Sequence, residues 1–451
     1  MAIIPEPYLF SWKNVDAQSD LKRLEFVLSA LPDERLMRKL EQRRGRGRDD
    51  YPVRAVWNSI IAGIVFGHKT VESLRRELMR NGELRFVCGF DPHLGFDAVP
   101  TPRAYTSLLK SLYRCRDEVE AMFDQLVQKL KQLLPDFGNR LAVDSKAISS
   151  RARGKNKNTK ADGRRDLDAD WGRKEYTGVR DDGTLWTKIT KWFGYKLHLV
   201  IDSTYELPVG FDLSRASKSD QKHLLPLLKK LKQTHPELVE RAEYLSADRG
   251  YDSEEHNRTL YDDYGIKPII DIRHMWKDPD STRPLYPERA DNIIYDEDGK
   301  IFCVCPKTGE RREMANSGFE KDRDTLKYRC PACAYGFKCK GRDLCSSRSG
   351  NYGRVVRVSL DTNRRLFVPV PRSSYKWRRE YKKRTAVERV NSRLDVSFGF
   401  EKHTIRGMKK MRLRVGLALV IMLALAVGAI QAGRAERMRS LVDCLPKRAV
   451  A

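Results

Sequence analysis

The chain has 451 residues, enough for two or three domains and a substantial core. Lys and Arg number 87 against 61 Asp and Glu, and the net charge of +26 points to a polyanionic partner, most often nucleic acid. A basic soluble enzyme is the plainer alternative. Nine cysteines, mostly clustered, fit a reducing cytoplasmic setting rather than a disulfide scaffold, and MAIIPEPYLFSWKNVD lacks the pattern of a signal peptide.

Residues 1–135 read as a helical N-terminal domain. SDLKRLEFVLSALPDERLMRKLEQ opens it and runs into the basic RRGRGRDD. PVRAVWNSIIAGIVFG, TVESLRRELMRN and TPRAYTSLLKSLYRCRDEVEAMFDQLVQKLKQLL follow, with apolar residues every three or four positions, the helix period.

The texture changes at 136, and 136–272 reads as the first part of a mixed α/β core. NRLAVDSKAI is a strand and 151–176 a polar loop. LWTKITKWFGYKLHLVID and LPVGFDLSRAS are strands joined by STYE. A helix at 219–234, a strand at 243–248, a helix at 253–264 and a strand at 267–272 complete the alternation.

Residues 273–375 interrupt this pattern as a polar, cysteine-rich insertion. Residues 376–435 resume the core: YKKRTAVERVNSRLDVSFGF reads as one helix, followed by the apolar VGLALVIMLALAVGAI at 415–430. Sixteen helical residues span about 24 Å, short of the roughly 30 Å of a bilayer core, so a buried helix and no membrane span is expected. Residues 436–451 form a C-terminal tail.

Two aspartates follow apolar strand residues, Asp144 after RLAV and Asp248 after YLSA. In open α/β sheets, sites form where such strands end. Gly250 leaves space beside the second. Glu388 is the third acid; on a single helix it would share one face with Arg384 and Tyr381. Three converging carboxylates repel, by roughly 4 kcal/mol per pair at about 4 Å. Two divalent cations, Mg²⁺ or Mn²⁺, would relieve that repulsion and equip the site for phosphoryl transfer. Asp220 and Asp252 lie nearby in sequence and read as structural.

The order Asp144, Asp248, Glu388, with ADRGYDS around the second and YKKRTAVERV around the third, resembles the DDE transposases of bacterial insertion sequences. Tyr381, Arg384 and Glu388 match the Tyr-x-x-Arg-x-x-x-Glu pattern of one large group. GYKLHLVID, LPVGFDLSRASKSDQ and the helical 51–115 are also similar to that group. The resemblance implies an RNase H-like catalytic fold with a helical DNA-binding and assembly domain ahead of it. It also implies a homodimer acting on the terminal inverted repeats of an element and on target DNA. Metal-dependent cleavage would free a 3′-hydroxyl, which then attacks the target. Tyr381 and Arg384 would contact DNA. The pattern has a lysine seven residues after the glutamate, where this chain has Asp395, leaving Arg389, Arg393 or Lys402 as substitute phosphate contacts. An inactive DNA-binding descendant and a nuclease without strand transfer are the competing readings.

Six cysteines fall within 43 residues, Cys303, Cys305, Cys330, Cys333, Cys339 and Cys345. CxC and CxxC pairs suit a zinc ribbon, with Cys303, Cys305, Cys330 and Cys333 as first choice and Cys339 and Cys345 as alternatives. With little core of its own, the insertion would use the metal as organiser. The basic runs 43–48, 151–160, 376–384 and 406–414 read as phosphate contacts, and Trp276 as a base-stacking candidate.

Overall fold

A computed structural model describes residues 19–45, 50–152, 154, 165–277, 281–288, 290–345 and 353–440. The tail beyond 440, most of the basic run 151–160 and part of 43–48 lie outside these residues. Seven α-helices lead the described chain: α1 (Ser19–Ala30), α2 (Glu34–Arg44), α3 (Val53–Val65), α4 (Val71–Arg80), α5 (Gly82–Cys88), α6 (Pro102–Arg114) and α7 (Arg116–Leu133). Local chemistry sets several starts. Thr70 and Ser73 form a reciprocal capping box on α4, and Thr101 caps α6 with Pro102 behind it.

The central sheet comprises β1 (Arg140–Ser149), β2 (Asp170–Val179), β3 (Leu185–Asp202), β4 (Leu207–Arg215), β5 (Tyr244–Ala247) and β6 (Lys267–Ile270). Helices α8 (Gln221–Thr234), α9 (Pro236–Arg241) and α10 (Glu254–Asp262) connect its later strands. β3 is antiparallel to β1, β2 and β4, whereas β1, β5 and β6 run parallel. β3 does two jobs. Its polar first half pairs with β2 in solvent, and its second half is buried between β1 and β4. Gly194 marks the switch, because a Cβ there would stand 2.1 Å from the Ile148 carbonyl. β2 overturns the expected loop over 170–176; pairing along β3 outweighs a composition that reads as loop.

Beyond β6 the insertion folds into two small sheets. β7 (Thr282–Pro284), β8 (Ile293–Asp296), β9 (Ile301–Val304) and β10 (Arg311–Glu313) form one, and β11 (Ala315–Glu320), β12 (Thr325–Arg329) and β13 (Val355–Ser359) the other. The short α11 (Pro331–Tyr335) follows β12. Contrary to expectation the insertion has its own core, including Ile293, Ile301, Leu326, Tyr328 and Val358. Buried Asp252, as expected a structural acid, fastens this unit to the central sheet through Arg365 at 2.8 Å and Arg372 at 3.7 Å.

The chain then returns through α12 (Tyr375–Lys382), α13 (Thr385–Val396) and α14 (Met408–Gln431). The single helix expected across 381–400 is instead divided by a turn at Lys383 and Arg384 and ends at Val396. α14 starts earlier than the apolar stretch and has 24 residues, long and apolar enough to cross a membrane by length and composition alone. Its apolar stretch is buried inside the protein, against α1, α7 and β4. Gly428 allows the close approach to α1, since a Cβ would meet the Phe26 carbonyl at 2.4 Å. One continuous core thus joins the N-terminal helices to the sheet.

Candidate active site

The sheet's register builds the site. β1 and β5 pair as Arg140 with Tyr244, Leu141 with Leu245 and Ala142 with Ser246. Carried two residues further, the same register sets Asp144 beside Asp248, where the strands part. Adjacent strands lie about 4.8 Å apart and matched residues share a face, so the backbone itself brings the two carboxylates together. Asp144 is not at a strand tip as its sequence context implied; it lies mid-strand on β1, and it is β5 that stops beside it.

The same register contains a residue that the sequence reading passed over. β5 and β6 pair through Ala247 with Ile270, so the next position sets Asp248 against Asp271. Asp271 follows KPII as Asp248 follows YLSA, and that repeated pattern was available in the sequence. Three aspartates therefore form a row across three parallel strands, beside the ends of β5 and β6.

Electrostatics around the row are uneven. Burial pushes Asp144 up to about 6; the charge of Asp248 adds to the rise, while Lys174 and Arg384 oppose it. The Ser145 N–H donates to Asp144 at 2.8 Å, and the Gly250 N–H to Asp248 at 2.9 Å. The second contact explains the glycine: a Cβ there would lie 2.9 Å from the Asp248 carboxylate. Beneath them Tyr251 is buried with no hydrogen-bond partner for its hydroxyl among the described residues, and burial, then Asp220, Asp144 and Asp248, raise its pKa. Asp220 pairs with Lys196 at 3.0 Å. Lys174 reaches from β2 to the Ser145 carbonyl at 3.5 Å, a cation that no sequence spacing signalled.

Glu388 arrives from the other side, in the first turn of α13, where the helix dipole favours an acid. Its carboxylate is half exposed and accepts from Arg384 Nη2 at 2.8 Å. Burial disfavours the Arg384 charge, yet Tyr381, Glu388 and Asp144 outweigh it and raise its pKa. Arg384 thus links the third acid to the first. Its guanidinium also stands 5.6 Å from the Tyr381 ring centre, and that ring stacks on Trp377 at 4.6 Å. Tyr381, Arg384 and Glu388 keep the three- and four-residue spacing of one helix face across the turn between α12 and α13, because Lys383 and Arg384 hold right-handed helical backbone.

The donors fit a hard divalent cation in part. Asp144 and Asp248 supply adjacent oxygens in a setting that favours added positive charge. Among the described residues, however, no three His, Cys, Asp or Glu side chains converge as a metal-holding group, and Arg384 occupies Glu388.

The other candidate phosphate contacts lie elsewhere. Arg389 and Arg393 both turn to Glu206, in the β3–β4 turn; Arg389 does so at 2.8 Å, and Arg393 also donates to the Glu206 carbonyl. Lys402 is exposed beyond α13. Asp395 is ion-paired with Lys146, two residues past Asp144 on β1, so a cation does stand at this point but on the strand. Trp276 packs on Tyr295 and beneath Arg283. A separate groove of about 850 Å³ between the N-terminal helices and the start of α14 has a largely apolar lining edged by Lys69, Arg165, Arg406, Lys410 and Arg414, with Asp166 and Asp168 among them.

In the insertion, Cys303, Cys305, Cys330, Cys339 and Cys345 line a cavity of about 70 Å³, while Cys333 pairs with Cys330 outside it. All eight described cysteines are free thiols. Cys305 is partly buried, and its pKa is lowered to about 7 by the Thr308 hydroxyl and the Lys307, Thr308 and Gly341 N–H groups.

Comparison with known families identifies the domain. The transposase DDE domain family matches residues 136–424, well over half of the chain. The chain belongs to the DDE transposase family. It is similar to a protein of Burkholderia cepacia assigned as the transposase of insertion sequence element IS402, at 39% identity over 82 residues. That match spans 17% of this chain and 37% of the relative. Among solved structures it is similar to the piggyBac transposase synaptic complex with hairpin DNA, at 11% identity and a TM-score of 0.38, over 94% of this chain and 79% of that one. The DDE domain, as matched, begins just before β1, spans the insertion and ends within α14.

Proposed function

We propose that this chain is an active transposase that binds the inverted-repeat ends of its own element as a homodimer, cleaves them and joins the freed 3′-hydroxyls to target DNA. The observation that carries the proposal is the register that sets Asp144 beside Asp248, with Glu388 tied to the pair by Arg384. The strand order β4-β3-β1-β5-β6, two antiparallel pairings followed by two parallel ones, supports an RNase H-like core with β2 as an excursion.

Asp144 and Asp248, joined by Glu388 once Arg384 turns away, would hold Mg²⁺ or Mn²⁺, two ions in the full site. Such ions supply Lewis-acid charge on phosphate oxygens and a more acidic water. The protein side chains orient the DNA. Freed from Glu388, Arg384 presents a planar fork to a phosphate, and its exchange of a carboxylate for a phosphate keeps its charge paired. Lys174 adds a point charge beside Asp144, and the Tyr381–Trp377 stack offers a flat apolar support for the DNA end. The net charge of +26 and the basic groove at α14 supply phosphate contacts away from the reacting bond. In the insertion, the cavity thiols and the acidic Cys305 support zinc binding, with Cys303, Cys305 and Cys330 kept from the first-choice set and Cys339 or Cys345 in place of Cys333.

The test is a Mg²⁺-dependent assay on DNA carrying the element's terminal repeats. Cleavage and joining, both lost in Asp144→Asn, Asp248→Asn and Glu388→Gln, support the proposal. Binding without cleavage in either ion would leave the inactive descendant, and cleavage without joining would leave a nuclease.

A further inference from the structure

We infer that Lys146 and Asp395 are positioning residues, whose ion pair sets the register of α13 along β1 and so the place that Glu388 takes beside Asp144 and Asp248. The inference rests on the reading of these acids as the reactive site, and it explains how the third is delivered to the other two.

Lys146 lies two residues past Asp144, so both side chains leave β1 on one face. Asp395 lies seven residues past Glu388, two turns on, and therefore on the same side of α13. One strand face and one helix face thus meet twice. Arg384 bridges Glu388 towards Asp144 at one point, and Lys146 contacts Asp395 directly at the other. Two residues of strand advance about 7 Å and two turns of helix about 10 Å, similar enough for the helix to lie along the strand.

Burial gives the pair its leverage. The Lys146 side chain is 9% exposed and that of Asp395 25%, so either charge left alone would be partly desolvated without its partner. Pairs of this kind are well suited to specifying register, because a slipped arrangement leaves two unpaired charges. The other side of α13 is held independently, through Arg389 and Arg393 on Glu206. Loss of the Lys146–Asp395 pair therefore leaves the helix docked but its register relaxed.

The experiment is Mn²⁺ binding to the full-length, DNA-free protein, followed by electron paramagnetic resonance, with thermal unfolding measured in parallel. Lys146→Met and Asp395→Asn are each expected to weaken Mn²⁺ binding about tenfold, a typical size for coupled neighbours. The exchanged pair Lys146→Asp/Asp395→Lys should recover affinity to within about threefold, through the same contact with its charges reversed. Lower thermal stability with unchanged Mn²⁺ affinity would overturn the inference, as would single-variant losses that the exchanged pair does not recover. If a single variant does not fold, the exchanged pair decides alone. The underlying reading fails separately: wild-type Mn²⁺ affinity in Asp144→Asn would remove the site itself.

Discussion

The two candidate metal regions are built in opposite ways. At the end of the central sheet, Asp144, Asp248 and Asp271 take their places from hydrogen-bond register, so the backbone sets their spacing before any ligand is present. In the insertion, Cys305, Cys330, Cys339 and Cys345 come from turns and short elements around a small cavity, and no register relates them. A register-built site holds carboxylates close together in a partly desolvated place, and the raised Asp144 pKa records chiefly that burial, with the Asp248 charge adding to it. A loop-built site gathers thiols at little cost and depends on a ligand to close it.

The largest effect expected from this contrast is at the sheet. Asp144→Asn or Asp248→Asn should lower Mg²⁺-dependent cleavage by roughly 10³-fold or more, the scale of several kcal/mol of lost transition-state stabilisation. Comparable cleavage by the asparagine variants would break the comparison at its first side. Acid should act through the same group. With Asp144 titrating at about 6, Mn²⁺ affinity is expected to be flat above that pH and to fall about tenfold per unit below it. A titration that stays level to pH 4.5 would contradict that origin.

Asp271→Asn tests whether the row extends to its third member, and Mn²⁺ affinity should fall about tenfold. In the insertion, Cys305→Ser should reduce bound zinc measured by mass spectrometry, whereas Cys88→Ser, a buried thiol of α5, should leave it unchanged. Equal zinc in both variants would remove the cysteine site.

The smallest effect concerns stability. The folded protein keeps a proton on Asp144 between its ordinary carboxyl pKa and about 6, a window in which the unfolded chain has lost it. Metal-free stability should therefore fall as pH rises through that window. Asp144→Asn removes this slope and should stabilise the metal-free protein at pH 8 by roughly 1–3 kcal/mol, read from denaturant unfolding. An unchanged slope would show that Asp144 is not the group titrating.

Much of the central architecture was legible in the sequence, because strands such as RLAVD and YLSAD carry apolar runs that end in an acid. Periodicity also placed α3, α4 and the stretch that folds as α6 and α7, and the length of the apolar run marked α14 as a core element. What escaped the sequence depends on pairing across the fold. β2 exists because β3 is long enough to pair with it. Lys174 and Lys146 carry no signal in the sequence, because their partners come from the pairing of β2 and the docking of α13. Arg389 and Arg393 seemed available for phosphate until Glu206 appeared opposite them.

The most direct measurement of metal binding by the aspartates is ion-selective rescue. In Asp248→Cys a soft thiolate replaces a hard carboxylate, and Mn²⁺ tolerates that change better than Mg²⁺. Cleavage of terminal-repeat DNA by this variant should be absent in Mg²⁺ and return in Mn²⁺, while the wild type works in both. An identical loss in the two ions, or full activity in Mg²⁺, would mean that Asp248 holds no metal.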